Sequence, residues 1–139
     1  MLLHQQLNPR ARFVRAAGLG AVTGVVMWLA LFFFDNSYYT EADGSVHGPY
    51  QPWQVIAGAL IMIAVAVVCG WFLRRDGAFG AAAGAAVGLG AIVFIDFSRD
   101  DPTGLYGVGV MMITVGSFVG LALVGLIAAF ISGLTRPRK

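Results

Sequence analysis

The stretch WFLRRDGAFGAAAGAAVGLGAIVFID, residues 71–96, decides how this chain must fold. Two arginines and Asp76 stand together near its start, and the nineteen residues that follow, 77–95, carry no charge. About 20 apolar residues suffice for a helix to cross a ~30 Å hydrocarbon core. The stretch therefore predicts a membrane helix at 77–95 that follows another one after a very tight polar turn, so the two must be antiparallel neighbours.

Apolar runs of similar length flank this stretch on both sides. Of the 139 residues, 58% are hydrophobic and 12% are charged, whereas soluble domains carry roughly 25% charged residues. We therefore expect a single-domain, all-α integral membrane protein, an antiparallel bundle of four transmembrane helices. The predicted spans are about 14–34, 53–73, 77–95 and 106–134, and the predicted exported loops are 35–52 and 96–105.

The distribution of charge predicts the orientation of this bundle. Eight of the nine basic residues lie before or at the start of the first span, in the tight turn, or after the last span. They are Arg10, Arg12, Arg15, Arg74, Arg75, Arg136, Arg138 and Lys139. Because basic loops next to membrane helices stay in the cytoplasm, both termini are predicted to be cytoplasmic.

The composition also indicates the kind of organism that the protein comes from and the groups that its arginines contact. Arginine supplies nearly all of the positive charge, and Ala, Gly and Val abound, which is typical of a GC-rich bacterial genome. We therefore expect a bacterial plasma membrane protein. No soluble domain offers a basic face to nucleic acid, so anionic lipid headgroups are the expected counter-charge of the arginines.

Glycines at four-residue spacing recur on three of the predicted helices. At 3.6 residues per turn each set lies on one helix face and opens a groove there. Such grooves let helix backbones approach closely in lipid, and hydroxyl side chains on the same faces can add interhelical hydrogen bonds. The predicted packing residues are Gly20, Gly24, Gly80, Gly84, Gly88, Gly116 and Gly120, with Thr23 and Ser117 beside them.

Charged residues are absent from the interior of the predicted spans, which argues against ion-coupled transport. The carboxylates Asp35, Asp96, Asp100 and Asp101 fall at the exported ends instead. They are consistent with a divalent cation site, with a docking surface for a basic partner, or with ordinary loop charge. Since no metal-binding motif accompanies them, we expect no metal site and no cofactor.

Two functions remain open at this stage. No nucleophile and base can be brought together, because the only histidines, His4 and His47, fall on opposite sides of the membrane, so we expect no enzyme. The glycine faces favour an accessory or assembly subunit that packs against a larger membrane complex. The alternative is a small homo-oligomeric channel or transporter whose pore is lined by the glycine-rich third helix.

Overall fold

The computed structural model describes residues 8–34, 38–48, 50–100 and 104–135. Within these residues there are three helices, α1 (Pro9–Leu31), α2 (Pro52–Asp100) and α3 (Tyr106–Thr135), and two short strands, β1 (Tyr39–Thr40) and β2 (Val46–His47). All three helices are long and apolar enough to cross a membrane. The all-α class is thus confirmed, and the helices fit a multi-pass membrane protein.

The expectation of four helices is wrong. Both 53–73 and 77–95 belong to α2, a single helix of 49 residues. The polar turn expected between 73 and 77 is reduced to a single residue, because within α2 only Arg74 departs from helical backbone angles, with φ 63° and ψ −152°. The described part of the chain therefore has three helices, the second of them kinked.

The kink at Arg74 folds α2 back on itself and divides it into two arms, which we call arm 1 (52–73) and arm 2 (75–100). A straight helix of this length would extend for about 73 Å. Instead, a Cβ atom added to Gly77 would lie 2.7 Å from the carbonyl oxygen of Cys69. The two arms consequently lie side by side.

Helix α1 begins at Pro9, before the expected position 14, because Asn8 caps it. The Asn8 side chain accepts a hydrogen bond from the N–H of Arg10 at 2.7 Å, and Pro9 occupies the first helical position. Both features are typical of helix N-termini. Basic residues near the N-terminus are thereby included in the helix.

A small hairpin lies in the loop between α1 and α2, where the sequence predicted no regular structure. Strands β1 and β2 pair antiparallel, with Tyr39 opposite His47. Gly44 in the turn has φ 87°, a conformation that glycine adopts without steric cost. The Asp43 carboxylate accepts hydrogen bonds from the backbone N–H (2.9 Å) and the hydroxyl (2.6 Å) of Ser45, which closes the turn.

Arm 2 forms the centre of the bundle. Its small residues between 77 and 90 are nearly all buried, between α1 on one side and arm 1 and α3 on the others. Larger side chains complete the core, notably Met27, Trp28, Met62 and Leu121. Most remaining large apolar side chains point outward, as expected for helices that lipid solvates.

The two ends of the bundle differ in composition. The start of α1, the kink of α2 and the end of α3 meet at one end, where Arg12, Arg74 and Gly133 border a common cleft. The loops and the end of arm 2 form the opposite end. Arg136, Arg138 and Lys139 lie outside the described residues.

Candidate functional site

A tightly packed contact, which we call the closed seam, joins α1 to arm 2. The three glycines of arm 2 that recur at four-residue spacing, Gly80, Gly84 and Gly88, all lie in it. A Cβ atom added to any of them would overlap the α1 backbone. They meet α1 at Phe13, Ala17 and Ala21, in that order, so the two helices run parallel.

Helix α1 contributes its own two predicted glycines to the closed seam. A Cβ atom on Gly20 would lie 2.8 Å from the amide nitrogen of Ala85, and one on Gly24 would lie 3.0 Å from that of Leu89. Because lipid tails are as apolar as the side chains, helices in a membrane associate through such close packing rather than through apolar burial. Five of the predicted packing glycines thus belong to one contact within a single copy of the chain.

A second close contact, which the sequence did not predict, centres on Gly125 of α3. The Gly125 carbonyl group lies against Gly70 of arm 1. A Cβ atom added to Gly125 would lie 2.9 Å from the Cβ of Ala78 in arm 2. Gly125 therefore touches both arms. Neither Gly70 nor Gly125 belongs to a four-residue repeat, so glycine spacing gives no signal for this contact.

Two side chains that hydrogen-bond between helices were not among the predicted packing residues. Gln54, 1% exposed, donates to the carbonyl oxygen of Leu31 at 2.7 Å and accepts from the N–H of Gln51 at 2.6 Å. Ser132, fully buried, donates to the carbonyl oxygen of Trp71 at 2.9 Å. These two side chains fasten arm 1 to the end of α1 and to the end of α3.

Thr23 and Ser117, the hydroxyl residues expected to bridge helices, lie half-buried on their helices. Within the described part of the chain, neither side chain hydrogen-bonds to another helix. Thr114, one turn before Ser117, donates instead to the Val110 carbonyl oxygen of its own helix at 2.7 Å. Gln54 and Ser132 make interhelical hydrogen bonds of the kind that was predicted for these two hydroxyls.

The last predicted pair, Gly116 and Gly120, lies on an open face of α3. A Cβ atom added to either glycine would meet no atom within 4 Å. Both glycines border an apolar groove of about 450 Å³ between α3 and arm 1, which we call the open groove. Its other lining residues include Val55, Ala59 and Ile63 on the wall formed by arm 1, and the buried side chains Met27, Met62 and Leu89.

An aromatic cluster stands at the end of the open groove nearest the loops. Trp28 and Phe32, which line the groove, stack with ring centroids 4.7 Å apart. Tyr50 and Phe97 meet the Trp28 ring edge-on at 5.6 and 5.9 Å. The Trp28 indole N–H donates to the Asp96 carboxylate at 3.2 Å, so this predicted surface carboxylate is tied to the interior of the bundle.

The same cluster perturbs the phenol of Tyr50, which lies just before α2. Burial, and secondarily the negative charge of Asp96, raise the pKa of Tyr50 to about 12. Desolvation and a nearby negative charge both disfavour the tyrosinate. Tyr50 is therefore a neutral aromatic side chain at physiological pH.

The other predicted acidic residues do not assemble into a site that the structure describes. Asp35 and Asp101 lie outside the described residues, as does the side chain of Asp100, which ends α2. In the hairpin, the hydrogen bonds from Ser45 lower the pKa of Asp43. Over the described ranges, no group of three His, Cys, Asp or Glu residues could hold a metal ion.

A second cavity, which we call the arginine cleft, lies at the opposite end of the bundle and also measures about 450 Å³. Arg12, Arg74, Arg75 and Asp76 supply its charges. Its apolar wall comes from the end of α3 and includes Phe130 and Leu134, which are 64% and 72% exposed.

Comparison with known proteins does not assign a family or a function to this chain. No family model matches the chain, and neither a curated protein nor a solved structure is significantly similar to it. The open groove and the arginine cleft are therefore the structural features that bear on its function.

Proposed function

We propose that this chain is an accessory or assembly subunit that binds a transmembrane helix of a larger membrane complex in the open groove. The observation that carries the proposal is the free space at Gly116 and Gly120, which contrasts with the filled space at every glycine of the closed seam. Small residues on a lipid-facing helix allow another helix to approach closely. Open on its lipid side, the groove offers such a helix two walls and an apolar floor.

The location of the arginines supports an orientation for this subunit. Arg12, Arg74 and Arg75 share one end of the bundle with the start of α1 and the end of α3. Because basic segments are retained in the cytoplasm, we propose that this end is cytoplasmic and that the protein resides in a bacterial plasma membrane. The hairpin and the aromatic cluster then face the exported side.

The packing of arm 2 favours the accessory subunit over a homo-oligomeric channel or transporter. A pore lined by the glycine-rich segment would need Gly80, Gly84 and Gly88 to face a lumen. Each of these glycines instead lies against the backbone of α1 in the same copy of the chain. We likewise propose a non-enzymatic role, which fits the apolar lining of the open groove.

Extraction in a mild detergent followed by native mass measurement tests the proposal. The parent protein should carry larger subunits with it, and the double variant Gly116→Ile with Gly120→Ile should lose them because the new side chains fill the groove. Gly18→Ile is the matched control, since Gly18 lies on α1 with open space around it. Recovery of bare monomers or homo-oligomers from the parent protein would count heavily against an accessory subunit.

Cysteine labelling in intact cells tests the orientation independently. In a Cys69→Ala background, a cysteine at Ser45 in the hairpin should react with a membrane-impermeant reagent, whereas one at Asp76 beside the kink should not. Labelling at Asp76 in intact cells would reverse the proposed orientation.

A further inference from the structure

The backbone of Arg74 occupies a conformation that is unfavourable for its residue type. With φ 63° and ψ −152°, it is the only non-glycine residue of positive φ in the described chain. This region of backbone angles belongs almost exclusively to glycine, and strain of this kind clusters at functional sites. Glycine would turn the chain here without strain, so the presence of arginine calls for a use of its side chain.

The Arg74 side chain extends into the arginine cleft. One of its guanidinium nitrogens would lie 3.6 Å from a Cβ atom added to Gly133, near the end of α3. Arg12 of α1 and Arg75 of α2 border the same cleft, so three cationic groups from two helices converge on it. Asp76 offsets one of them, and two net positive charges remain among the described groups of the cleft.

The rest of the cleft is apolar. Phe130 and Leu134 form a wall exposed on the outside of α3, next to the cationic groups. A soluble anion would use only the arginines, and an apolar ligand would use only the wall. A phospholipid with an anionic headgroup matches both halves, since its phosphate lies at the membrane interface and its acyl chains lie along the adjacent hydrocarbon.

We propose that the arginine cleft binds the phosphate of an anionic phospholipid, with the guanidinium groups of Arg12, Arg74 and Arg75 as its cationic partners. Guanidinium groups suit this role because their planar donors bind phosphate in a bidentate manner. The lipid would hold together the start of α1, the kink of α2 and the end of α3. The proposal rests on the membrane location proposed above but not on the partner helix.

Native mass spectrometry of the full-length protein in detergent provides the test. Phosphatidylglycerol and phosphatidylcholine with identical acyl chains are added in parallel, and the bound lipid is quantified. The parent protein should bind phosphatidylglycerol at least about tenfold more tightly, given the energy of a basic residue near an anionic headgroup. Absence of that preference would overturn the proposal.

Charge-matched variants separate the cleft from general surface charge. Arg12→Gln with Arg75→Gln should reduce the preference for phosphatidylglycerol to less than about threefold. Arg10→Gln with Arg15→Gln removes the same charge from exposed positions on α1 that do not line the cleft, and should leave the preference intact. An equal loss in both double variants would mean diffuse attraction and overturn the proposal.

Arg74→Gly gives a result that a purely structural role of Arg74 does not predict. Relief of the positive φ should raise the thermal midpoint by about 3 °C, while loss of the guanidinium should weaken phosphatidylglycerol binding severalfold. A variant that keeps full lipid preference would remove Arg74 from the site and contradict the proposed use of its strained backbone.

Two further measurements identify the source of the phosphate and test whether the lipid site is independent of the open groove. Inorganic phosphate should not displace phosphatidylglycerol, and displacement would assign the cleft to a soluble anion instead. Gly116→Ile with Gly120→Ile should lose the partner complex yet retain the lipid preference. If this double variant loses the partner complex while the parent protein shows no lipid preference, the lipid proposal is contradicted and the proposed function is not.

Discussion

The closed seam and the open groove share one sequence pattern, glycines at four-residue spacing, but only the closed seam is filled by another helix of the same chain. Gly80, Gly84 and Gly88 lie against the backbone of α1, whereas Gly116 and Gly120 face empty space. Four-residue spacing therefore indicates where a helix can be approached, but it does not indicate by what. The difference is decided by whether another part of the same chain reaches the face.

The largest expected effect comes from filling the closed seam. Gly84→Ile places a side chain where the Ala17 carbonyl group lies, so α1 and arm 2 must separate. We expect the free energy of unfolding to fall by about 4 kcal/mol or more, because the obstacle is backbone. Thermal unfolding in detergent, with Gly18→Ile as the control, measures it. Equal stability of the two variants would show that arm 2 does not pack through this face.

Two serines of α3 extend the comparison to hydrogen bonds. Ser132 is fully buried and donates to the Trp71 carbonyl oxygen, whereas Ser117 lines the open groove. Ser132→Ala should lower the free energy of unfolding by about 1 kcal/mol through the lost hydrogen bond. Ser117→Ala should change it by less than about 0.5 kcal/mol. A larger loss of stability for Ser117→Ala than for Ser132→Ala would mean that α3 packs more tightly at the open groove than at Trp71.

Alkaline pH should loosen the aromatic end of the open groove. The pKa of Tyr50 is raised from 10.0 to about 12 in the folded protein, so unfolding makes its phenol more acidic. Its stabilising contribution is complete below pH 10 and is lost as the pH rises through about 12. Thermal midpoints across this range should fall more steeply for the parent protein than for Tyr50→Phe. Parallel curves would show that Tyr50 does not titrate with this shift.

The smallest effect is expected at the open groove in the isolated chain. Gly116→Ile has no atom to displace, so the free energy of unfolding of the purified monomer should stay within about 0.5 kcal/mol of the parent value. Denaturant unfolding in detergent measures this change. A loss comparable to that of Gly84→Ile would mean that the groove is already filled within one copy, and the contrast between the two faces would disappear.

Part of this architecture follows directly from the sequence. The spacing of Gly80, Gly84 and Gly88 predicts that they share one face of a helix, although not which segment meets that face. The gathering of arginines at one end follows from the order of apolar and basic segments. The expected count of four helices was wrong at Arg74, because the chain reverses there at a single residue of non-helical backbone angles, and the segments on both sides belong to one element, α2. No residue pattern distinguishes that reversal from a loop.

The contacts that the sequence missed depend on the packing of distant segments. Gly125 and Gly70 stand outside any repeat, and the Trp28–Asp96 hydrogen bond requires the loop ends of α1 and arm 2 to be adjacent. Gln54 and Ser132 look like ordinary polar residues near the ends of helices. Only the packed bundle shows that they are buried and that backbone carbonyl groups of neighbouring helices accept their hydrogen bonds.

The parallel pairing of α1 with arm 2 has a consequence for biogenesis. The Trp28–Asp96 hydrogen bond joins residues 68 positions apart, and the seam beside it spans a comparable length of chain. Contacts this distant in sequence cannot form until the later segment has been synthesised, and closing the long intervening loop costs entropy. During synthesis, α1 therefore waits in the bilayer with Gly20 and Gly24 uncovered until arm 2 emerges from the ribosome. A nascent chain that stalls before residue 80 would leave that face available to a membrane protease or to a second unfinished copy.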